Sequence, residues 1–136
     1  MQSFTAISSH SVGKISIIIG KGNANNLGTI SLGIYAVDGS GLPTGAALTS
    51  GTIDGNTIPD WGSETFVDFI VTQTSITNGV QYAIVISCDA YGTSQKLEWG
   101  LATDAYTGGK FDRYNGTAWE NYNSGNSDGR FKVYGK

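Results

Sequence analysis

The stretch Gln81-Tyr-Ala-Ile-Val-Ile-Ser-Cys88 decides how the rest of the chain is read. Tyr82, Ile84, Ile86 and Cys88 fall on alternate positions and make one face of large side chains, the period of a strand and not of a helix. Outward from it the same period recurs. Ile15, Ile17 and Ile19 alternate with Lys14, Ser16 and Ile18, and Ile30, Leu32, Ile34 and Ala36 alternate with Ser31, Gly33, Tyr35 and Val37. Thr65-Phe-Val-Asp-Phe-Ile-Val71 is apolar on both faces except at Asp68, so a central strand is expected there. Leu97, Trp99 and Leu101 point one way, and Arg130 to Tyr134 forms a last alternating run. The expected core is Ile17, Ile30, Leu32, Ile34, Phe66, Ile84, Ile86, Trp99 and Phe131.

Between these runs lie Asp38-Gly-Ser-Gly-Leu-Pro-Thr-Gly45, Asp54-Gly-Asn-Thr-Ile-Pro-Asp60 and Thr77-Asn-Gly79. All are turn compositions: Gly and Asn tolerate positive φ, Pro presets a turn, and Asp bonds nearby backbone. Asn115-Gly116, flanked by 110–114 and 117–122, predicts a hairpin closed by a tight type I′ turn. No segment carries a helical period of useful length. Many strands without helices mean a sandwich or a barrel, and the long connections at 38–63 and 103–110 favour crossovers between two sheets. The expected fold is all-β: a jelly-roll-like antiparallel β-sandwich forming a single domain over residues 1–136.

The residue types needed for catalysis are scarce. Only 14% of the residues are charged, and there is one His and one Cys, so convergent acid–base or ligand sets have little to draw on. A non-enzyme is expected. Glu64, Asp68, Glu98, Asp112 and Glu120 lie on or beside strands, and nothing in their spacing marks a hydrolytic pair. Cys88 cannot form an intrachain disulfide and sits in an apolar run, where an inert buried thiol is expected. His10, between serines, reads as a solvated turn residue. No cofactor is expected. Asp38-Gly-Ser-Gly and Ser124-Gly-Asn-Ser-Asp-Gly129 are rich in oxygen donors and leave a structural calcium open, but neither has the EF-hand spacing and turn formation accounts for both.

The net charge of −3 argues against a nucleic-acid partner, since phosphate binding draws on a basic stripe and Lys14 and Lys21 stand alone. The longest apolar run, Ile17-Ile-Ile19, is far too short to insert into a membrane. Met1-Gln-Ser-Phe-Thr5 lacks the basic start and apolar core of a secretory leader. The chain therefore reads either as one made and assembled inside a cell or as a module cut from a secreted protein.

Several strings in fixed order carry a resemblance. They are the opening Gln2-Ser-Phe-Thr-Ala6, Leu32-Gly-Ile-Tyr-Ala-Val-Asp-Gly-Ser-Gly-Leu-Pro-Thr-Gly45 with Ala47-Leu48, and Ile76-Thr-Asn-Gly-Val-Gln-Tyr-Ala-Ile-Val85. Tyr106-Thr-Gly-Gly109, Gly116-Thr-Ala-Trp119 and Asp128-Gly-Arg-Phe-Lys-Val-Tyr-Gly135 complete the set. Together they resemble a jelly-roll β-sandwich module of bacterial secreted and surface proteins and of tailed-phage structural proteins, similar to carbohydrate-binding modules and choice-of-anchor domains. The resemblance implies a non-catalytic jelly roll and carries over no ligand and no site residue.

Trp61, Tyr106, Arg113, Tyr114, Trp119 and Tyr122 are the candidate ligand- or partner-binding residues. Tyr, Trp and Arg dominate interface hot spots, and rings on a stiff hairpin have little entropy left to lose on binding. Two readings follow. In the first, the chain is a virion accessory protein, a capsid decoration or tail component that buries surface against capsid or tail subunits as a homo-oligomer. In the second, it is a carbohydrate-binding or adhesion module whose rings stack on a glycan at the cell surface or outside the cell.

Overall fold

The computed structural model describes residues 1–22, 27–90, 96–103 and 106–135. Strand β2 (His10–Gly22) is the axis of one sheet. Along one side it pairs antiparallel with β5 (Thr65–Ile76). Along the other it pairs first with β12 (Phe131–Gly135), over Val12 to Ile17, and then with β7 (Lys96–Trp99), over Ile19 to Gly22. The second sheet has the order β1 (Gln2–Thr5), β6 (Gln81–Cys88), β3 (Thr29–Val37), β4 (Pro43–Asp54), all antiparallel. Two short ladders complete the described residues: β8 (Leu101–Ala102) with β11 (Asp128–Gly129), and β9 (Asp112–Tyr114) with β10 (Trp119–Asn121). The chain changes sheet after β1, β2, β4, β5 and β6, which makes the sandwich jelly-roll-like rather than a pair of meanders. Asp104 and Ala105, in the connection expected at 103–110, lie outside the described residues.

The alternation read from the sequence supplies the core. Ile15, Ile17 and Ile19 of β2 face Ile30, Leu32 and Ile34 of β3 and Tyr82 and Ile84 of β6, all buried. Phe69 and Val71 of β5, Trp99 of β7 and Phe4 of β1 fill the same layer. Ile86 and Phe131 pack against it half-buried. Each such aliphatic side chain contributes about 1.5–3 kcal/mol by leaving water. Along one side the two sheets meet directly. The Thr49 hydroxyl of β4 donates to the Thr72 carbonyl of β5, and a Cβ at Gly51 would overlap the Ile70 carbonyl. A glycine is required at position 51 because two backbones approach there, not because of its φ.

Four expectations need correction. Phe66 is exposed, not core; Phe69 takes the inward position. The pairs Phe69↔Ile15 and Val67↔Ile17 set this phase, because their β2 partners point inward. A run apolar on both faces cannot fix its own phase, and a one-residue slip turns every side chain over. Nor is the strand central. Its ladder runs to β2 alone, and its other edge abuts β4. Part of the expected 38–63 connection is strand β4, whose Thr, Ser, Gly and Ala composition hides the period; its proline occupies the first position, where a missing N–H costs no ladder bond. Finally, the 112–121 hairpin is not closed by a type I′ turn. Tyr114 pairs with Trp119 across four residues, only Gly116 of the Asn-Gly pair has positive φ, and Asn115 Oδ1 accepts from Thr117 N and Ala118 N.

The corrected phase of β5 has a direct test. Phe69→Ala is expected to cost about 3–5 kcal/mol in chemical denaturation, and Phe66→Ala less than about 1 kcal/mol. Equal losses would contradict the register.

Candidate functional site

Two regions carry the candidate residues. The first is the β9–β10 hairpin, which the start of the chain holds in place. Asp112 N donates to Met1 O, Gln2 bridges Phe111, and Tyr122 N donates to Phe111 O. Beneath it lies a buried polar knot. The Gln2 amide donates to Asp128 Oδ1 at 3.2 Å and accepts from Gly129 N at 2.7 Å, while Asp128 Oδ2 accepts from Tyr106 N at 2.8 Å. Bonding of this kind offsets the cost of burying an amide and a carboxylate, whereas Asp112 Oδ1, also buried, has no hydrogen-bond partner among the described residues. Both Asp128 oxygens thus hold protein groups, and the Asp38 carboxylate accepts from Ser40 N and Leu42 N in an Asx turn. Among the described residues no group of three or more His, Cys, Asp or Glu is placed to hold a metal ion.

A line of rings runs from the core to the hairpin surface. Trp99 meets Phe111 edge-on at 5.5 Å, Phe111 meets Tyr122 at 5.7 Å, and the Arg113 guanidinium lies 5.9 Å over the Tyr122 ring. Glu120 receives Arg113 Nη2 at 2.5 Å and Asn115 Nδ2 at 3.2 Å. Those hydrogen bonds, the arginine's first, hold its exposed carboxyl below the usual glutamate range. Across the hairpin Tyr114 and Trp119 touch at 5.3 Å with ring planes inclined by 58°. They form a wedge, not a flat platform, and Tyr114 is 52% exposed while Trp119 is half-buried.

The structure therefore brings together Arg113 with Tyr122, and Tyr114 with Trp119. It does not present Tyr106 in the same way. That ring meets Phe131 edge-on within the core layer, and its hydroxyl accepts from Thr5 N and donates to Thr5 O.

Trp61 belongs to a second region, the outer face of the β2 sheet. Its N–H donates to Lys21 O, and its ring lies where a Cβ on Gly20 would point, 3.3 Å from that position. A Cβ at position 20 would crowd the Trp61 backbone and ring and the Glu64 Cβ at 3.2–3.3 Å. Register places the outward residues in rows: Tyr134, Lys14 and Ile70; Lys132, Ser16 and Asp68; Ile18 and Phe66, with the Arg130 carbonyl accepting from Ile18 N; and Glu98, Gly20 and Glu64 under Trp61. Trp61 is 45%, Phe66 41%, Ile70 69% and Tyr134 37% exposed. Lys132 caps the Phe66 ring and Lys14 the Tyr134 ring, each at 4.2 Å, and Lys14 also pairs with Asp68 at 3.0 Å. The Ser16 hydroxyl first, then Lys14, holds the Asp68 carboxyl below its ordinary range.

Sequence reasoning missed this face because it sent Phe66 inward. A signal was present in β12, where Tyr134 is out of phase with Phe131 and Val133 and in phase with Lys132. Elsewhere, open depressions lie beside Asp54, Asn56 and Asp89 and between Ser40, Gln81 and Lys110. His10 opens β2 beside the Ser8 carbonyl, and Cys88 is a half-buried free thiol whose pKa burial pushes up.

With Met1 carrying the α-amino group, that amine donates to Asp112 O at 2.6 Å in a buried setting beside the Lys110–Asp112 pair. Burial lowers its pKa from 8.0 to about 5, against the opposing pull of the Asp112 charge. Between these values the unfolded chain binds the proton and the folded chain does not, so stability should rise with pH across that window and fall again on acidification. Thermal melts between about pH 5 and about pH 8 check this, and a flat profile would contradict a neutral buried amine.

No family model, no curated protein and no solved structure matches the chain.

Proposed function

We propose that the chain is a non-catalytic structural and attachment module that works by burying flat surface against protein neighbours, as a capsid decoration or tail component of a tailed-phage virion. One observation carries the burial reading: Trp61, Phe66, Ile70 and Tyr134 share a single outward sheet face instead of lining a cleft. Exposed apolar side chains grouped on one surface mark interaction sites, whereas scattered ones do not. The assignment to a virion is supported by the ordered strings that resemble the jelly-roll module of phage structural and bacterial surface proteins.

A second reading, a glycan-binding module, is favoured by the Tyr114–Trp119 pair with Arg113 and Asn115 beside it. The 58° inclination of those rings weighs against it as a platform for successive sugar units, since pyranose stacking along a chain needs near-coplanar rings.

The readings separate on antibody labelling of virions purified from the organism that carries the gene, run beside a glycan array. The first expects label at a symmetric position on the particle and an empty array. Virions without label, together with array binding lost in Trp119→Ala, would replace it with the second.

A further inference from the structure

We propose that the outer face of the β2 sheet is a self-complementary interface through which two copies of this chain pack face to face about a twofold axis. The inference rests on the reading that the chain acts by surface burial, and it names the partner of that same face.

The first ground is the order of charge along the face. The rows through Lys14, Ser16 and Ile18 carry Lys14, Arg130 and Lys132 against the single acid Asp68, which is already bonded to Ser16 and Lys14. The next row carries Glu64 and Glu98, with Asp60, which pairs with Lys21 at 3.9 Å, beside Trp61, and Lys96 one row further out, so the acids exceed the bases there by a single charge. The face is thus basic at one end and mainly acidic at the other. A twofold axis lying in the plane of contact, perpendicular to the strands and close to the Ile18 row, reverses the rows and keeps the strand columns, so Glu98 of each copy comes opposite Lys132 of the other, while Glu64 comes opposite Asp68, whose charge is already met by Lys14. An isologous contact needs a surface of this kind, in which residue i meets j and j meets i. A uniformly charged partner would meet one end of the face with like charge.

The second ground is the apolar content and the area. The reversed rows bring Trp61 of one copy toward the Ile70 and Tyr134 rows of the other, and keep the two Phe66 rows near the axis. Three strand widths at about 4.8 Å and ten residues at about 3.3 Å give a patch of about 14 by 33 Å. Two copies would bury about 1,000 Å², the lower limit for a specific interface. A weak, concentration-dependent dimer is therefore expected. Pairing sheets at the usual small angle leaves the inward core untouched.

Sedimentation velocity on the full chain over a wide concentration range tests this. The expected result is a monomer–dimer equilibrium that stops at two copies and weakens as salt is raised. Ile70→Asp should abolish the dimer. Lys132→Glu and Glu98→Lys should each weaken it at least about tenfold, and the chain carrying both reversals should recover it, because each copy then meets the other with signs exchanged. All these side chains are outward, so an unchanged melting midpoint serves as the folding control. A monomer at every concentration, assembly beyond two copies, or a dimer indifferent to both reversals would overturn the proposal. If the chain stays monomeric while Ile70→Asp removes it from virions, the second copy is wrong and surface attachment stands. If it dimerises as described and no virion carries it, the virion reading fails and the interface stands.

Discussion

The whole arrangement depends on β2 changing partner at Ile18 without a break in its ladder. Ile18 N donates to the Arg130 carbonyl at 3.2 Å, Gly100 N donates to the Ile18 carbonyl at 2.7 Å, and Arg130 N closes the triangle on Gly100 O at 2.9 Å. The Arg130 carbonyl also takes the Trp99 indole N–H at 3.1 Å. Two segments distant in sequence, 96–100 and 130–135, are thereby spliced into one edge along a single long strand. Had either been missing, half of β2 would face water with open N–H and C=O groups, a configuration that invites pairing with another chain. The splice also keeps the outward rows in phase from Tyr134 to Glu98, so the sheet presents one continuous face.

That continuity changes how the aromatic residues sort. Abundant Tyr and Trp near the C-terminus point first to the β9–β10 hairpin, yet its rings are largely engaged with one another. Phe111 joins Trp99 in the interior, Tyr122 leans on Phe111 and under Arg113, and Tyr114 rests against Trp119. Such contacts stiffen the hairpin and staple it to the sandwich. On the β2 sheet the rings meet cations instead: Lys132 lies on Phe66 and Lys14 on Tyr134. A lysine over a ring keeps an apolar face soluble in the free chain and can swing aside when a partner arrives, since its stem is flexible and its head strongly hydrated. The hairpin rings are thus tied to one another, and the rings of the sheet face to solvated cations.

The strands with a clear two-residue period were legible because burial selected one face of each: β2, β3 and β6 carry their main aliphatic side chains inward, while the alternate face is mostly small or polar, as at Lys14, Ser16, Ser31, Gly33, Ala83 and Ser87, with Ile18 and Val85 as its apolar members. Legibility failed where that contrast was absent. In β5 both faces are apolar, so its phase comes from pairing with β2 and not from its own residues. In β4 neither face is strongly apolar, because one edge and much of its surface meet water and its contact with β5 is made through backbone and Thr49. Gln2 and Asp128 are buried polar side chains that bond each other across more than a hundred residues, and no local pattern announces such bonds. The candidate site followed the same division. Trp61, Tyr114 and Tyr122 were named from composition and are exposed, whereas Tyr106 is half-buried against the core and the Phe66 face went unnoticed for a single error of phase.

The buried polar groups also tie the first residues to the hairpin and to the β11 turn. Gln2 reaches Asp128 and Gly129, Met1 reaches Asp112, and Ser3 receives Lys110 N on its hydroxyl while donating its own N–H to Lys110 O. Each bond alone is worth only about 0.5–1.5 kcal/mol net, but leaving any of these groups unpaired in the interior would cost about 1–3 kcal/mol. Cooperation follows from that asymmetry: the first residues, the 106–112 segment and the β11 turn must dock together or not at all. An apolar residue at position 2 would fill the same space and take from Gly129 N and Asp128 Oδ1 the bonds that Gln2 makes, leaving Asp128 with the Tyr106 N–H on its Oδ2. The glutamine is therefore what lets a loop-rich flank close over the sandwich while the sheet on the opposite side remains open.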